Sequence, residues 1–119
     1  MKIVFFGSPQ SAVLSLQSLI EAGHDIKLAV TQPDRPSGRG REKTPPPVKS
    51  FAEKQGIPII QPIKIRKDKD ALASIENVSP DLNVVVAYGQ IIPSEIIYFP
   101  PLNTINVHFS LLPKYRGAS

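Results

Sequence analysis

Short apolar runs alternate along this chain with segments of helical period, and that alternation restricts the fold more than any other feature. Residues 2–6, 26–31, 57–60, 81–87 and 104–108 are rich in Val, Ile and aromatic side chains and read as strands. Between the first two, Ala12, Val13, Leu16, Leu19 and Ile20 recur at spacings of three and four, the buried stripe of a helix over 11–21. Ser8 suits its N-cap, Pro9 its first position and Gly23 its stop. Further helices are expected over 48–55, from near Asp68 to Asn77, and over 93–97. The second strand is mostly apolar, as happens when helices cover both faces of a parallel sheet. Pro58 lacks an N–H and places its strand near an edge. The chain therefore reads as α/β, an open and mostly parallel sheet with helices on both faces.

Composition removes several classes of function. The 119 residues include no Cys, which excludes a disulfide framework, a thiolate metal site and a Cys nucleophile, and makes a reducing cytoplasm the expected compartment. Apolar runs such as 84–87 are only a few residues long, far short of the roughly 20 that span a bilayer. The apolar start meets Gly7-Ser8-Pro9 too soon for a signal peptide and reads as a first strand. A soluble protein with no membrane contact is expected. Length suggests one domain or part of one.

Charge is concentrated. Residues 33–49 carry Arg35, Arg39, Arg41, Lys43 and Lys49 against Asp34 and Glu42, +3 of the chain's +4. With five prolines and two glycines, 32–47 reads as a long exposed loop without regular structure. Its arginines and glycines suit phosphate contact, and its lack of aromatics argues against base stacking; a solvated loop is the plainer alternative. The second basic group, Lys64, Arg66, Lys67 and Lys69, is interleaved with Asp68 and Asp70 and reads as solvent-facing.

In open parallel sheets ligands bind at the carboxyl ends of the strands, where Gly7-Ser8-Pro9, Ala87-Tyr88-Gly89-Gln90 and Asn106-Val107-His108 are expected to converge. The first segment is not a nucleotide-binding fingerprint and suits a tight turn. Asn106 and His108 lie two apart on a strand, so both side chains point to one face. An amide and an imidazole can stabilise the oxyanion formed when an amine attacks a carbonyl, and the imidazole can carry the proton. Spacing alone leaves open a strand-end pair satisfied by neighbouring loops. His24, in a helix-to-strand turn, is assigned no function.

Taken together, Phe6 to Pro9, the Thr31-Gln32-Pro33-Asp34-Arg35-Pro36-Ser37-Gly38-Arg39-Gly40 stretch, 44–49, 85–93 and the Asn106 to Ala118 stretch with its Ser-Leu-Leu-Pro resemble the methionyl-tRNA formyltransferase family in order and spacing. The Asn-x-His and Ser-Leu-Leu-Pro features are shared with other folate-dependent formyltransferases, whereas the Pro-Asp-Arg-Pro-x-Gly-Arg-Gly loop resembles only the tRNA-acting branch. The resemblance implies a Rossmann-like formyltransferase domain and transfer of formyl from 10-formyltetrahydrofolate to the amino group of methionyl initiator tRNA, without a metal or an obligate protein partner. It implies Asn106 and His108 as the catalytic pair. The folate site would be lined by Ala87, Tyr88, Gly89, Gln90, Ile91, Ile92, Ser110, Leu111, Leu112 and Pro113. Arg35, Arg39, Arg41 and Lys43 would meet the tRNA.

The family's site also uses an aspartate that would fall beyond Ser119, and the family continues into a β-barrel domain that grips tRNA. Residues 1–119 thus read as the N-terminal part of the catalytic domain, expected to be inactive alone. Two alternatives stand beside this reading: the same folate chemistry on a sugar nucleotide or glycinamide ribonucleotide, and a non-enzymatic basic module that binds nucleic acid.

Overall fold

The computed structural model describes residues 1–37 and 42–108. Five parallel strands form one sheet: β1 (Lys2–Gly7), β2 (Asp25–Val30), β5 (Ile59–Ile60), β6 (Leu82–Val86) and β7 (Thr104–Val107), in the order β5-β2-β1-β6-β7. The chain moves outward from β1 through β2 to β5, then returns to β6 on the other side of β1. The open, parallel sheet expected from the alternation is present, and β5 is an edge strand, as Pro58 requires.

Alternate residues of the strands feed two apolar layers. Ile3, Phe5, Val84 and Val86 pack with Ala12, Val13 and Leu16 of helix α1 (Gln10–Glu21) and with Val48 and Ala52 of helix α2 (Pro47–Lys54). Val4, Phe6 and Val85 face the other side, against Ala71 and Ile75 of helix α3 (Lys69–Val78) and Ile96 of the short helix α4 (Ser94–Ile97). Strand β2 supplies both layers through an irregularity. Ile3 pairs with Ile26 but Val4 with Leu28, so Lys27 is skipped and the alternation changes phase there. Ile26 then enters the first layer and Leu28 the second.

Among the described α-helices a side-chain cap bond occurs at α3 alone. Asp68 caps α3, its carboxylate accepting from the Ala71 N–H at 2.9 Å. Helix α1 differs from expectation. It begins at Gln10 with Pro9 at the N-cap position, and the Ser8 hydroxyl accepts from the Gln32 N–H at 3.0 Å instead of capping the helix. A hydroxyl next to an incoming strand end has a second donor within reach, and that donor is the one it meets.

The segment 32–47 is also more regular than its prolines suggest. Strands β3 (Arg35–Ser37) and β4 (Glu42–Thr44) form an antiparallel ladder in which Arg35 faces Thr44 and Pro36 faces Lys43. Proline is tolerated because each strand of a two-stranded ladder has one edge turned away from its partner. Lys64, Arg66, Lys67 and Lys69 are exposed, as expected.

Candidate active site

The order reversal in the sheet falls between β1 and β6, and the segments leaving those strands must part to opposite sides of the sheet, opening a crevice. Gly7 makes that crevice possible. It pairs with Val86, and a Cβ built there would lie 2.6 Å from the Val86 carbonyl oxygen and 2.9 Å from both the Ala12 Cβ and the Phe5 ring. Only glycine lets the end of β1 lie this close to β6 while α1 starts directly above.

Beyond Val86 the backbone leaves the sheet through Ala87 at φ 53° and Gly89 at φ 92°. Two left-handed residues in three are uncommon, and the alanine carries real strain of the kind that gathers at functional sites. The resulting irregular segment forms one wall of a cleft of about 670 Å³, lined by Ala87, Tyr88, Gly89, Gln90 and Ile91. Asn106, Val107 and His108 form the opposite wall, with Ser11 of α1 and Val85 beneath. Asn106 pairs with Val85 in the ladder, and Thr104 with Asn83. Asn106 and His108 are both exposed at the cleft. The pair seen in the sequence therefore meets one cavity.

Tyr88 is a special member of this wall. Its ring is buried, packing edge-on against Phe6 with centroids 5.7 Å apart. Its hydroxyl is buried without a hydrogen-bond partner among the described residues. Burial, and then the nearby Asp68 carboxylate, push the phenol well above its ordinary value, so it stays protonated. Ile92 departs from expectation: it packs against the α3 layer and does not line the cleft. The chain has curved back to the core by that point. Ile91 is 80% exposed and presents an apolar side chain at the rim.

A second cleft of about 380 Å³ adjoins the first across Tyr88 and Gly89. Pro9, Pro33, Pro36, Pro46 and Pro47 make most of its surface apolar, with Ser8 and Gln32 at its floor. Arg35 and its ladder partner Thr44 lie on its hairpin side, whereas Lys43 is exposed and does not line it. The base of the hairpin is pinned by Asp34, which accepts from Gln61 Nε2 at 2.6 Å and from Lys49 Nζ at 3.1 Å. The Gln61 amide, and then the Lys49 ammonium, hold the Asp34 carboxyl below its ordinary value of 3.8.

Arg39, Arg41, Ser110, Leu111, Leu112 and Pro113 lie outside the described residues. Sequence reasoning missed Ser11, Val85 and Gln32 as cleft residues. Ser11 was findable as the first turn of the helix opening on the crevice, whereas nothing local marks Gln32. No cluster of three or more potential metal ligands occurs among the described residues, and no described helix is long and apolar enough to cross a membrane.

A five-stranded parallel sheet with helices on both faces, a cleft at its strand ends and an Asn-x-His pair on the wall defines a Rossmann-like α/β domain. The formyl transferase family model matches residues 1–119, and the chain belongs to that family. It is 57% identical to the methionyl-tRNA formyltransferase of Pelotomaculum thermopropionicum and 52% identical to that of Clostridioides difficile, in each case over its whole length. The chain spans about 38% of the length of those relatives. Among solved structures, a phosphoribosylglycinamide formyltransferase from Anaplasma phagocytophilum matches 98% of this chain and 52% of its own with a TM-score of 0.62 at 20% identity. A glycinamide ribonucleotide transformylase from Symbiobacterium toebii gives 0.63 at 14% identity, covering 98% of this chain and 54% of its own. These two likenesses establish the shared fold.

Proposed function

We propose that the chain carries the donor cleft and part of the catalytic apparatus of an enzyme that moves a formyl group from 10-formyltetrahydrofolate to the amino group of methionyl initiator tRNA. The observation that carries this reading is the placement of Asn106 and His108 on one cleft, facing the Ala87 to Ile91 wall. The relatives identical at 50% and above point to the same acceptor.

The cleft suits a folate. Its volume lies in the range of small-molecule sites, and its irregular wall exposes main-chain groups that can pair with the donor and acceptor edge of a pterin. Ile91 offers an apolar flank, and the resemblance adds Ser110 to Pro113. The donor supplies an activated one-carbon acyl unit. When the amine lone pair adds to its carbon, negative charge grows on the formyl oxygen. The Asn106 amide N–H donates to that oxygen and stabilises the charge. The His108 ring takes the proton that the attacking nitrogen loses, and the imidazolium so formed also donates to the oxygen. As the carbonyl re-forms, the bond from the formyl carbon to the folate nitrogen breaks and the ring returns the proton to that nitrogen, so tetrahydrofolate leaves.

The acceptor end of the reading rests on the adjoining cleft and hairpin. An apolar, proline-lined hollow beside the reacting groups fits the unbranched side chain of methionine and offers little to a phosphorylated sugar. Arg35 lines that hollow, and Arg39, Arg41 and Lys43, close to it in sequence, add phosphate-binding charge.

In formyl-transfer assays on a protein that includes this chain, Asn106→Ala and His108→Ala are expected to lower kcat by about 10²–10³-fold each, with little change in folate affinity. Equal losses in binding and turnover would show that the pair only positions substrate and would overturn the catalytic assignment. Full transfer to tRNA by a protein with Arg39→Ala and Arg41→Ala together would overturn the acceptor.

A further inference from the structure

Between the two clefts lies a closed set of side-chain amides that the reading above does not use. Gln90 Nε2 donates to Gln32 Oε1 at 2.8 Å, to the Pro62 carbonyl at 3.0 Å and to the Ile63 carbonyl at 3.1 Å. Its Oε1 accepts from the Ile65 N–H at 2.8 Å. Both N–H groups of this amide are committed to the protein, so the Gln90 side chain has no donor left for a ligand. Gln32 is anchored at its backbone as well. Its N–H donates to Ser8 Oγ at 3.0 Å, and its carbonyl accepts from Gln61 Nε2 at 3.1 Å, the same nitrogen that binds Asp34 at 2.6 Å. Gln32 Nε2 sits 2.7 Å from the point where a Gly89 Cβ would stand.

We propose that the Gln32–Gln90 amide pair is a positioning device for the donor cleft, fixing the Gly89 to Ile91 wall opposite Asn106 and His108 and tying that wall to the base of the basic hairpin. Three features require such a device. The wall leaves the sheet after Val86, its backbone turns through positive φ at Ala87 and again at Gly89, and Gln32 and Gln90 join segments 58 residues apart. With the pair in place the wall is preorganised, and a ligand does not meet the cost of ordering it.

The inference rests on the donor-cleft reading, and the experiment separates the two. The probe is 5-formyltetrahydrofolate, titrated calorimetrically into the chain. Gln32→Leu is expected to weaken binding about tenfold, and Gln90→Leu, which also loses its bonds to Pro62, Ile63 and Ile65, by at least as much. The double variant is expected to lose no more than Gln90→Leu, because the Gln32–Gln90 bond is shared. Gln32→Glu keeps an oxygen for Gln90 Nε2 to donate to and is expected to bind within about threefold of the parent. Gln90→Glu loses the N–H donors, faces three oxygens and is expected to bind as weakly as the leucine variant. That asymmetric rescue is the readout that general destabilisation would not produce. If a leucine variant does not fold, the isosteric glutamate pair carries the test. Parent-like binding by both leucine variants, additive losses in the double variant, or equal binding by the two glutamate variants would overturn the inference alone. No binding of the probe by the parent chain would overturn the donor-cleft reading and this inference with it.

Discussion

Replacing Gly7 with alanine tests the packing on which the crevice depends. The added methyl would stand 2.6 Å from the Val86 carbonyl oxygen and 2.9 Å from Ala12 Cβ and the Phe5 ring, where ordinary contacts begin near 3.4 Å. None of the three neighbours is the loose end of a flexible chain. One is backbone in a central strand, one is fixed to α1, and the third is a fully buried ring. Overpacking of this kind costs about 1–3 kcal/mol. The upper half of that range applies, since relief requires β1 and β6 to separate. Against it, alanine restricts the unfolded chain and returns about 0.4–1 kcal/mol. The net loss is about 1–2.6 kcal/mol, which at roughly 4 °C per kcal/mol for a domain of this size lowers Tm by about 4–10 °C. Far-UV circular dichroism on heating measures the shift, and amide chemical shifts should move at Val86 and Ala87 before anywhere in α3. A Tm equal to that of the parent chain would refute the close-approach argument, because no positive φ at Gly7 offers another reason for glycine there.

Asn83 sits fully buried in β6, its amide donating to the Ile96 carbonyl at 2.9 Å and to Thr104 Oγ1 at 3.2 Å. Asn83→Ala leaves the helix α4 carbonyl without this donor and is expected to cost about 1–3 kcal/mol in urea unfolding, and an unchanged midpoint would contradict the role. Asp34 has a folded-state pKa lowered from 3.8, so its charged form favours the folded hairpin base. That contribution is present above the ordinary carboxylate range and is lost as pH falls through the lowered value. Hydrogen exchange of the β4 amides is expected to be faster in Asp34→Asn than in the parent at neutral pH, and the difference to shrink as pH falls below the ordinary carboxylate range; a difference unchanged across that acid titration would sink it. In salt titrations of RNA binding, Arg39→Ala and Arg41→Ala are each expected to reduce the slope by about 0.7–0.9 if each neutralises one phosphate, with no change in binding of 5-formyltetrahydrofolate. An unchanged slope would remove those arginines from the contact.

Much of this molecule was legible from local pattern. The five strands, the stripe on α1, the edge position next to Pro58 and the start of α3 near Asp68 all depend on residues within about four positions of one another. The Asn106 and His108 pair is local as well, since two residues apart on a strand share a face in any fold. Charge crowding in 33–49 needed no structure to be seen.

Other features required the chain to fold back on itself. Ser8 carries the composition of a helix cap, yet its hydroxyl accepts from Gln32, 24 positions away. The prolines of 32–47 concealed a hairpin, because its ladder exists only where Asp34 is pinned by Gln61 and Lys49 from other elements. Ile92 matched its neighbours in character, and only the curvature after Gly89 sent it to the core while Ile91 remained at the rim. The partition between the clefts joins Gln32 to Gln90 across 58 residues. Periodicity and capping are properties of neighbouring peptide units and are written in order along the chain. Which distant amide meets which is set by strand order and loop path, and these take definite values only when the two apolar layers close on the sheet.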